Sequence, residues 1–109
     1  MNVEDLRLFC LSKPGVEEGF PFGPETLVFK SGGKIFLLLS LDAQPLQFNV
    51  KCDPDRAVEL RDQYDCVRPG YHMNKKHWNT VLVDGSLSGS ELKEMVDHSY
   101  QLVTKPKKN

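Results

Sequence analysis

The chain lacks any apolar run approaching the ~20 residues that a membrane-spanning helix requires; the stretch around Leu37-Leu38-Leu39 is no longer than a buried strand. It has only three cysteines, Cys10, Cys52 and Cys66, and no Cys-x-x-Cys pair. An odd, widely spaced set argues against a disulfide framework and predicts three small, buried apolar side chains. Walker and Rossmann glycine patterns are missing, because Ser31-Gly32-Gly33-Lys34 turns a hairpin and opens no helix. His72, His77 and His98 have no thiol or second carboxylate at zinc-ligand spacing, so neither a metal nor a cofactor is expected. Nucleophilic catalysis needs a base in reach of the nucleophile and a group to orient it. Cys66 with His72 or His77 is the one compact pairing, and no catalytic signature surrounds it. The expectation is a strand cysteine beside a polar loop, in a protein that is not an enzyme. Met1-Asn2-Val3-Glu4-Asp5 is acidic and polar, unlike a secretory signal, which predicts a cytoplasmic protein without a membrane partner.

The 109 residues suffice for one domain with one core, expected over 1–104, followed by a basic flexible tail at 105–109. The net charge of −1 is unevenly spread. Residues 1–25 sum to −3, with Arg7 and Lys13 against Glu4, Asp5, Glu17, Glu18 and Glu25. Residues 66–83 sum to +3, from Arg68, Lys75 and Lys76, and contain no acid. A polyanion responds to that local field more than to the total.

Periodicity orders the elements as α-β-β-β-α-β-β-α. Val3, Leu6, Phe9 and Cys10 form a helical stripe behind an Asn2 cap, and Lys13-Pro14-Gly15 ends it. Phe20-Pro21-Phe22-Gly23-Pro24 is expected to be a structured loop laying two rings against the core. Strands follow at Thr26–Lys30 and Lys34–Leu41, joined by a glycine turn, and at Leu46–Lys51, where Gln47, Asn49 and Lys51 face outward. The Lys34–Leu41 strand reads as central and covered on both faces for much of its length. Asp53-Pro54 starts a second helix to about Tyr64. Strands at Cys66–Tyr71 and His77–Val83 precede a last helix, whose stripe is Leu92, Met95, Val96, Ser99, Tyr100 and Val103, with His98 near the polar side. The fold class is α+β, a two-layer α/β sandwich with an antiparallel five-stranded sheet and its helices on one face.

The chemistry concentrates between Arg68 and Trp78. Arg68, Lys75 and Lys76 can meet phosphate oxygens, and His72 and His77 add charge at lower pH. Asn74 can pair with a base edge and Tyr71 can stack. Lys30 and Lys34, flanking the first hairpin turn, form a second expected contact. A small-anion site centred on Arg68, His72 and Lys75 would instead need a concave pocket where they converge.

Phe20-Pro-Phe-Gly23, Gly33-Lys-Ile-Phe36, Lys51-Cys-Asp-Pro54, Arg68-Pro-Gly-Tyr-His-Met-Asn-Lys75, His77-Trp78-Asn79 and His98-Ser99-Tyr100 occur in order. Carrying these segments, the chain resembles the MmcQ/YjbR family of small bacterial proteins over essentially its whole length. The resemblance implies a secretion-chaperone-like two-layer domain and a DNA-binding function through a "double wing" arrangement. It brings no catalytic residues. The wings would be the hairpin Ser31–Lys34 and the loop Gly70–Trp78. The expected function is duplex DNA binding by a monomer rather than an oligomer; the alternative is a protein-interaction or chaperone-like adaptor that uses a sheet face or edge.

Overall fold

Asn2 starts the first helix reciprocally: its side chain accepts the Asp5 N–H at 2.8 Å, and the Asp5 carboxylate accepts the Asn2 N–H. The computed structural model describes residues 1–70 and 73–104. Its elements are α1 (Val3–Leu11), β1 (Val16–Gly19), β2 (Thr26–Ser31), β3 (Lys34–Ser40), β4 (Gln47–Lys51), α2 (Pro54–Gln63), β5 (Val67–Pro69), β6 (Trp78–Leu82) and α3 (Gly89–Thr104). Asp53 caps α2 by accepting the Arg56 N–H, with Pro54 in the first turn. Ser88 and Glu91 form the expected capping box before α3. Among the described residues no helix is long and apolar enough to cross a membrane.

The sheet is antiparallel and has six strands, in the order β1-β2-β3-β4-β6-β5, where five are expected from sequence. The added strand is β1, Val-Glu-Glu-Gly, which has too little apolar alternation to declare itself. Pairing with β2 makes it a strand. Its Glu18 carboxylate accepts two hydrogen bonds, at 2.8 and 2.7 Å, from the Arg7 guanidinium of α1. That pairing holds the Glu18 carboxyl below its ordinary pKa and raises Arg7.

The register sorts the two faces. Leu27, Phe29, Leu37, Leu39, Phe48, Val50 and Val81 are cross-strand partners on one face and join Leu6, Cys10, Leu92, Val96 and Val103 in a single core. All three helices therefore pack on that face. The other face carries the row Val28–Leu38–Asn49–Thr80–Arg68 and no helix. No helix lies there, yet Val28 and Leu38 are buried, so β3 is buried on both faces over Phe36–Leu39, as its apolar run leads one to expect. Phe29 pairs with Leu37 and Lys30 with Ile35, so Phe36 is an extra residue at a β-bulge. The bulge sends consecutive Phe36 and Leu37 into the same core, and this explains the unbroken apolar run. The three cysteines are buried and free.

Phe20 and Phe22 do not enter the core; they are 52% and 64% exposed. The helices already fill the core face, and the proline-broken loop after β1 lies toward the uncovered side, beside Val28 and Ile35.

One buried hydroxyl of α3 bonds two strands of the sheet at once. The β3–β4 ladder stops at Leu37–Val50, and Phe36 has no register partner on either side. Ser99 of α3 donates to the Phe36 carbonyl at 2.5 Å and accepts the Lys51 N–H at 2.9 Å. It thereby replaces a ladder bond at the point where the strands part. Ser99 is 0% exposed, so Ser99→Ala leaves two backbone groups unmet and should cost about 1–3 kcal/mol, measured as a lowered urea midpoint with an unchanged slope.

Candidate nucleic-acid interface

Strand register brings the two expected wings to one end of the sheet. Ser31 pairs with Lys34 at the hairpin tip, and β4 runs toward that end, finishing at Lys51. Lys51 pairs with Trp78, the first residue of β6, while β5 ends there, with the Gly70 N–H donating to the Trp78 carbonyl at 2.9 Å. Only β4 separates β3 from β6, so the hairpin and the loop emerge about 10 Å apart at the sheet. Beyond Leu37–Val50 the hairpin has no ladder partner on β4 and stands clear of it.

Within the loop, Asn74 Oδ1 accepts the Lys76 N–H at 2.9 Å and its carbonyl accepts the His77 N–H at 3.3 Å. Exposed Asn74 thus shapes the turn. Lys75 Nζ donates to the Gly70 carbonyl at 3.4 Å, closing the loop and retaining two further N–H donors. Lys76 is exposed, and half-buried His77 gives its carbonyl to the Cys52 N–H at 2.7 Å. Tyr71 and His72 lie outside the described residues.

Lys34 is exposed at the hairpin tip, and Lys30 is exposed beside it, opposite Glu17 of β1. Arg68 is placed differently. It sits on edge strand β5 opposite Thr80, donates to the Asp65 carbonyl at 3.4 Å, and borders a cleft with Gln47, Pro69 and Leu82. Arg68 and Lys75 thus donate to different carbonyls, of Asp65 and Gly70, and His72, the third residue of the expected small-anion site, lies outside the described residues. Lys51, which sequence alternation places outward but does not single out, shares the uncovered face with Lys30 and Arg68. Among the described residues no group of three or more histidine, cysteine, aspartate or glutamate side chains could hold a metal ion. Burial raises the Cys66 thiol pKa and pushes Cys10 up to about 12, which is the reverse of nucleophile activation.

Several residues that carry the family resemblance prove to be fasteners. Besides Ser99, the Tyr100 hydroxyl donates to the Pro14 carbonyl at 2.5 Å, and Asn79 Nδ2 donates to the Ala57 carbonyl at 3.4 Å. His98 is half-buried, and its Nε2 accepts the Asp53 N–H at 3.2 Å and so ties α3 to the cap of α2. Trp78 is half-buried and abuts Gly70.

The YjbR family model matches residues 11–102 of the chain. The chain is 43% identical over 101 residues to the uncharacterized protein YbdF of Escherichia coli O157:H7, covering 92% of this chain and 82% of that one. It is 35% identical to YjbR of Escherichia coli K12, covering 93% and 86%. Among solved structures, the Deinococcus radiodurans protein DR2400, of family-model domain DUF419, superposes with a TM-score of 0.91 at 42% identity, covering 99% of this chain and 82% of that one. A Pseudomonas syringae protein gives 0.82 at 26% identity, covering 94% and 99%. The chain belongs to the YjbR family.

Two outcomes follow. A Cβ at Gly70 would lie 2.8 Å from Trp78 Cβ and 3.0 Å from the Trp78 carbonyl oxygen, so Gly70→Ala should destabilise by about 1–3 kcal/mol, read by chemical denaturation. The His98 pKa is lowered, chiefly by burial and then by Arg56, with Asp53 opposing. Protonation therefore favours the unfolded chain: the His98 contribution is complete above the unfolded imidazole pKa and is lost as pH falls through the folded one. Stability should decline on acidification from pH 7 to 5, and His98→Gln should flatten that decline in melts across the range.

Proposed function

We propose that this YjbR-family chain binds duplex DNA with the end of the sheet where the Ser31–Lys34 hairpin and the loop before β6 emerge side by side. The observation that carries the reading is the register, which sets Lys30 and Lys34 on one projection and Lys75 and Lys76 on its neighbour, with no acid between residues 66 and 83. Exposed ammonium groups on two projections suit phosphates on the two sides of a groove, and such contacts position a duplex without reading sequence. Exposed Asn74 is held at the same tip, and its side-chain amide is suited to a base edge. Arg68 serves the uncovered face beside the tip. The protein acts here without a cofactor and from the cytoplasm, as a monomer.

A second reading, a protein-interaction or chaperone-like adaptor, is favoured by one observation: β1 and β5 are edge strands, and the sheet face between them carries no helix. Added-strand recognition uses such edges.

Fluorescence anisotropy of a labelled 20-base-pair duplex at several salt concentrations separates the two. With three to four phosphate contacts the logarithm of affinity should fall against the logarithm of salt with a slope of about −3 to −4. Lys75→Glu/Lys76→Glu should abolish that binding while leaving the melting transition unchanged. Absence of duplex binding by folded wild-type protein at low salt would reject the DNA reading in favour of the adaptor.

A further inference from the structure

Three consecutive backbone N–H groups at the end of β4 are held from two parts of the molecule. Ser99 of α3 accepts the Lys51 N–H at 2.9 Å, and His98 of α3 accepts the Asp53 N–H at 3.2 Å. Between them, the Cys52 N–H donates at 2.7 Å to the His77 carbonyl, in the loop before β6. The β4–β6 ladder ends at Lys51–Trp78, so the Cys52–His77 bond carries the pairing one step further, into the loop. There the His77 N–H donates to the Asn74 carbonyl at 3.3 Å, and Asn74 Oδ1 accepts the Lys76 N–H. Peptide units are planar, so the aim of the Cys52 N–H is set by the units on either side of it. Ser99 anchors one of those units and His98 the other. Three of the segments that carry the family resemblance, at 51–54, 77–79 and 98–100, meet at this point.

Resting on the DNA-binding reading above, we infer that His98 positions the loop before β6 and makes the presentation of Lys75 and Lys76 depend on pH. Nε2 accepts the Asp53 N–H only while the imidazole is neutral, with its proton on Nδ1. Protonation sets a second donor against that N–H, and the bond is lost. Of the charged groups facing the ring, Arg56 of α2 repels an imidazolium and the Asp53 carboxylate attracts it. Lys51 and Cys52 at the end of β4 and Asn79 of β6 also line the pocket around the ring, and Glu94 stands one turn earlier on α3. Burial pushes the Cys52 thiol up to about 11, so it stays uncharged. The Asp53 carboxylate caps α2 by accepting the Arg56 N–H. An imidazolium draws it off that cap as the Asp53 backbone is released. The Cys52–Asp53 peptide unit is then unanchored, the Cys52 N–H loses its aim at the His77 carbonyl, and the loop loses this tie to β4. Burial, and then Arg56, hold the His98 pKa below its ordinary value against Asp53, so the tie is complete at pH 7 and is lost on acidification.

The test compares wild type, His98→Gln and His98→Leu, all of which keep His72 and His77, each checked for an intact thermal transition at pH 5. Gln offers an acceptor in place of Nε2 and does not titrate; Leu offers none. In amide NMR spectra of the free proteins from pH 7 to 5, the Cys52, Asp53, Asn74 and Lys76 signals of wild type should follow the midpoint of the His98 ring protons. His98→Gln should lack that component. In anisotropy with the labelled duplex, His98→Gln should match wild type at pH 7 and bind about three- to tenfold more tightly than wild type at pH 5, the worth of one hydrogen bond. His98→Leu should already be weaker than wild type at pH 7. Loop signals that move alike in wild type and His98→Gln overturn the inference, as does an affinity ratio between the two that is the same at both pH values. Either result leaves duplex binding standing. Absence of duplex binding by all three proteins overturns the DNA reading alone, because the amide spectra read the coupling without DNA.

Discussion

A single buried hydroxyl group stands at the junction on which the architecture depends. Ser99 bridges the Phe36 carbonyl and the Lys51 N–H where β3 and β4 stop pairing. Without it, the bulge in β3 would leave buried backbone groups unmet, and each such group carries a desolvation penalty comparable to a lost hydrogen bond. With it, α3 is anchored to two strands at once and the strands are free to separate beyond that point. The separation is what turns a plain hairpin into a projection and gives the tip of the sheet two arms. His98, one residue away, extends the same fastening to the cap of α2.

The fold also reconciles a net charge of −1 with the polyanionic partner proposed above. α2 carries Asp55, Glu59 and Asp62 against Arg56 and Arg61, and α3 carries Glu91, Glu94 and Asp97 against Lys93. These helices lie together behind the sheet. Lys30, Lys51 and Arg68 lie on the opposite face, and Lys34, Lys75 and Lys76 lie at its tip. A chain nearly neutral as a whole therefore presents two faces of opposite character, and the field at the tip is what an approaching phosphate meets.

The segments that were legible in the sequence are those whose local chemistry and burial agree. Asn2, Asp53 and Ser88 each announce a helix start, and each caps as its residue type predicts. Clean alternation in Leu46–Lys51 placed Phe48 and Val50 inward and Lys51 outward, as found. The elements that escaped are those made by neighbours. β1 exists because β2 offers it a free edge, and its four residues carry no signal of their own. The run Phe36–Leu39 is buried on both sides as its pattern suggests, but the bulge within it turns two consecutive residues to one face, and a pattern of period two cannot register an insertion. Phe20 and Phe22 read as core because phenylalanine usually is; the core was already filled by residues from all three helices and the other strands, from Leu6 to Val103.

Amino-acid order alone determined the helices, their caps, the hairpin turn at Gly32-Gly33 and the acid-free basic segment, since each rests on contacts between residues a few positions apart. It also carried the family resemblance, through short segments read in order. Tertiary structure alone decided which basic residues lie together. Lys34 and Lys75 are far apart in sequence, yet antiparallel register delivers both to one end of the sheet, while Arg68, close to Lys75 in the chain, is turned to another face by the two-residue alternation of its strand. Register is a relation between strands, set by which side chains must share the core, and no single stretch of chain contains it.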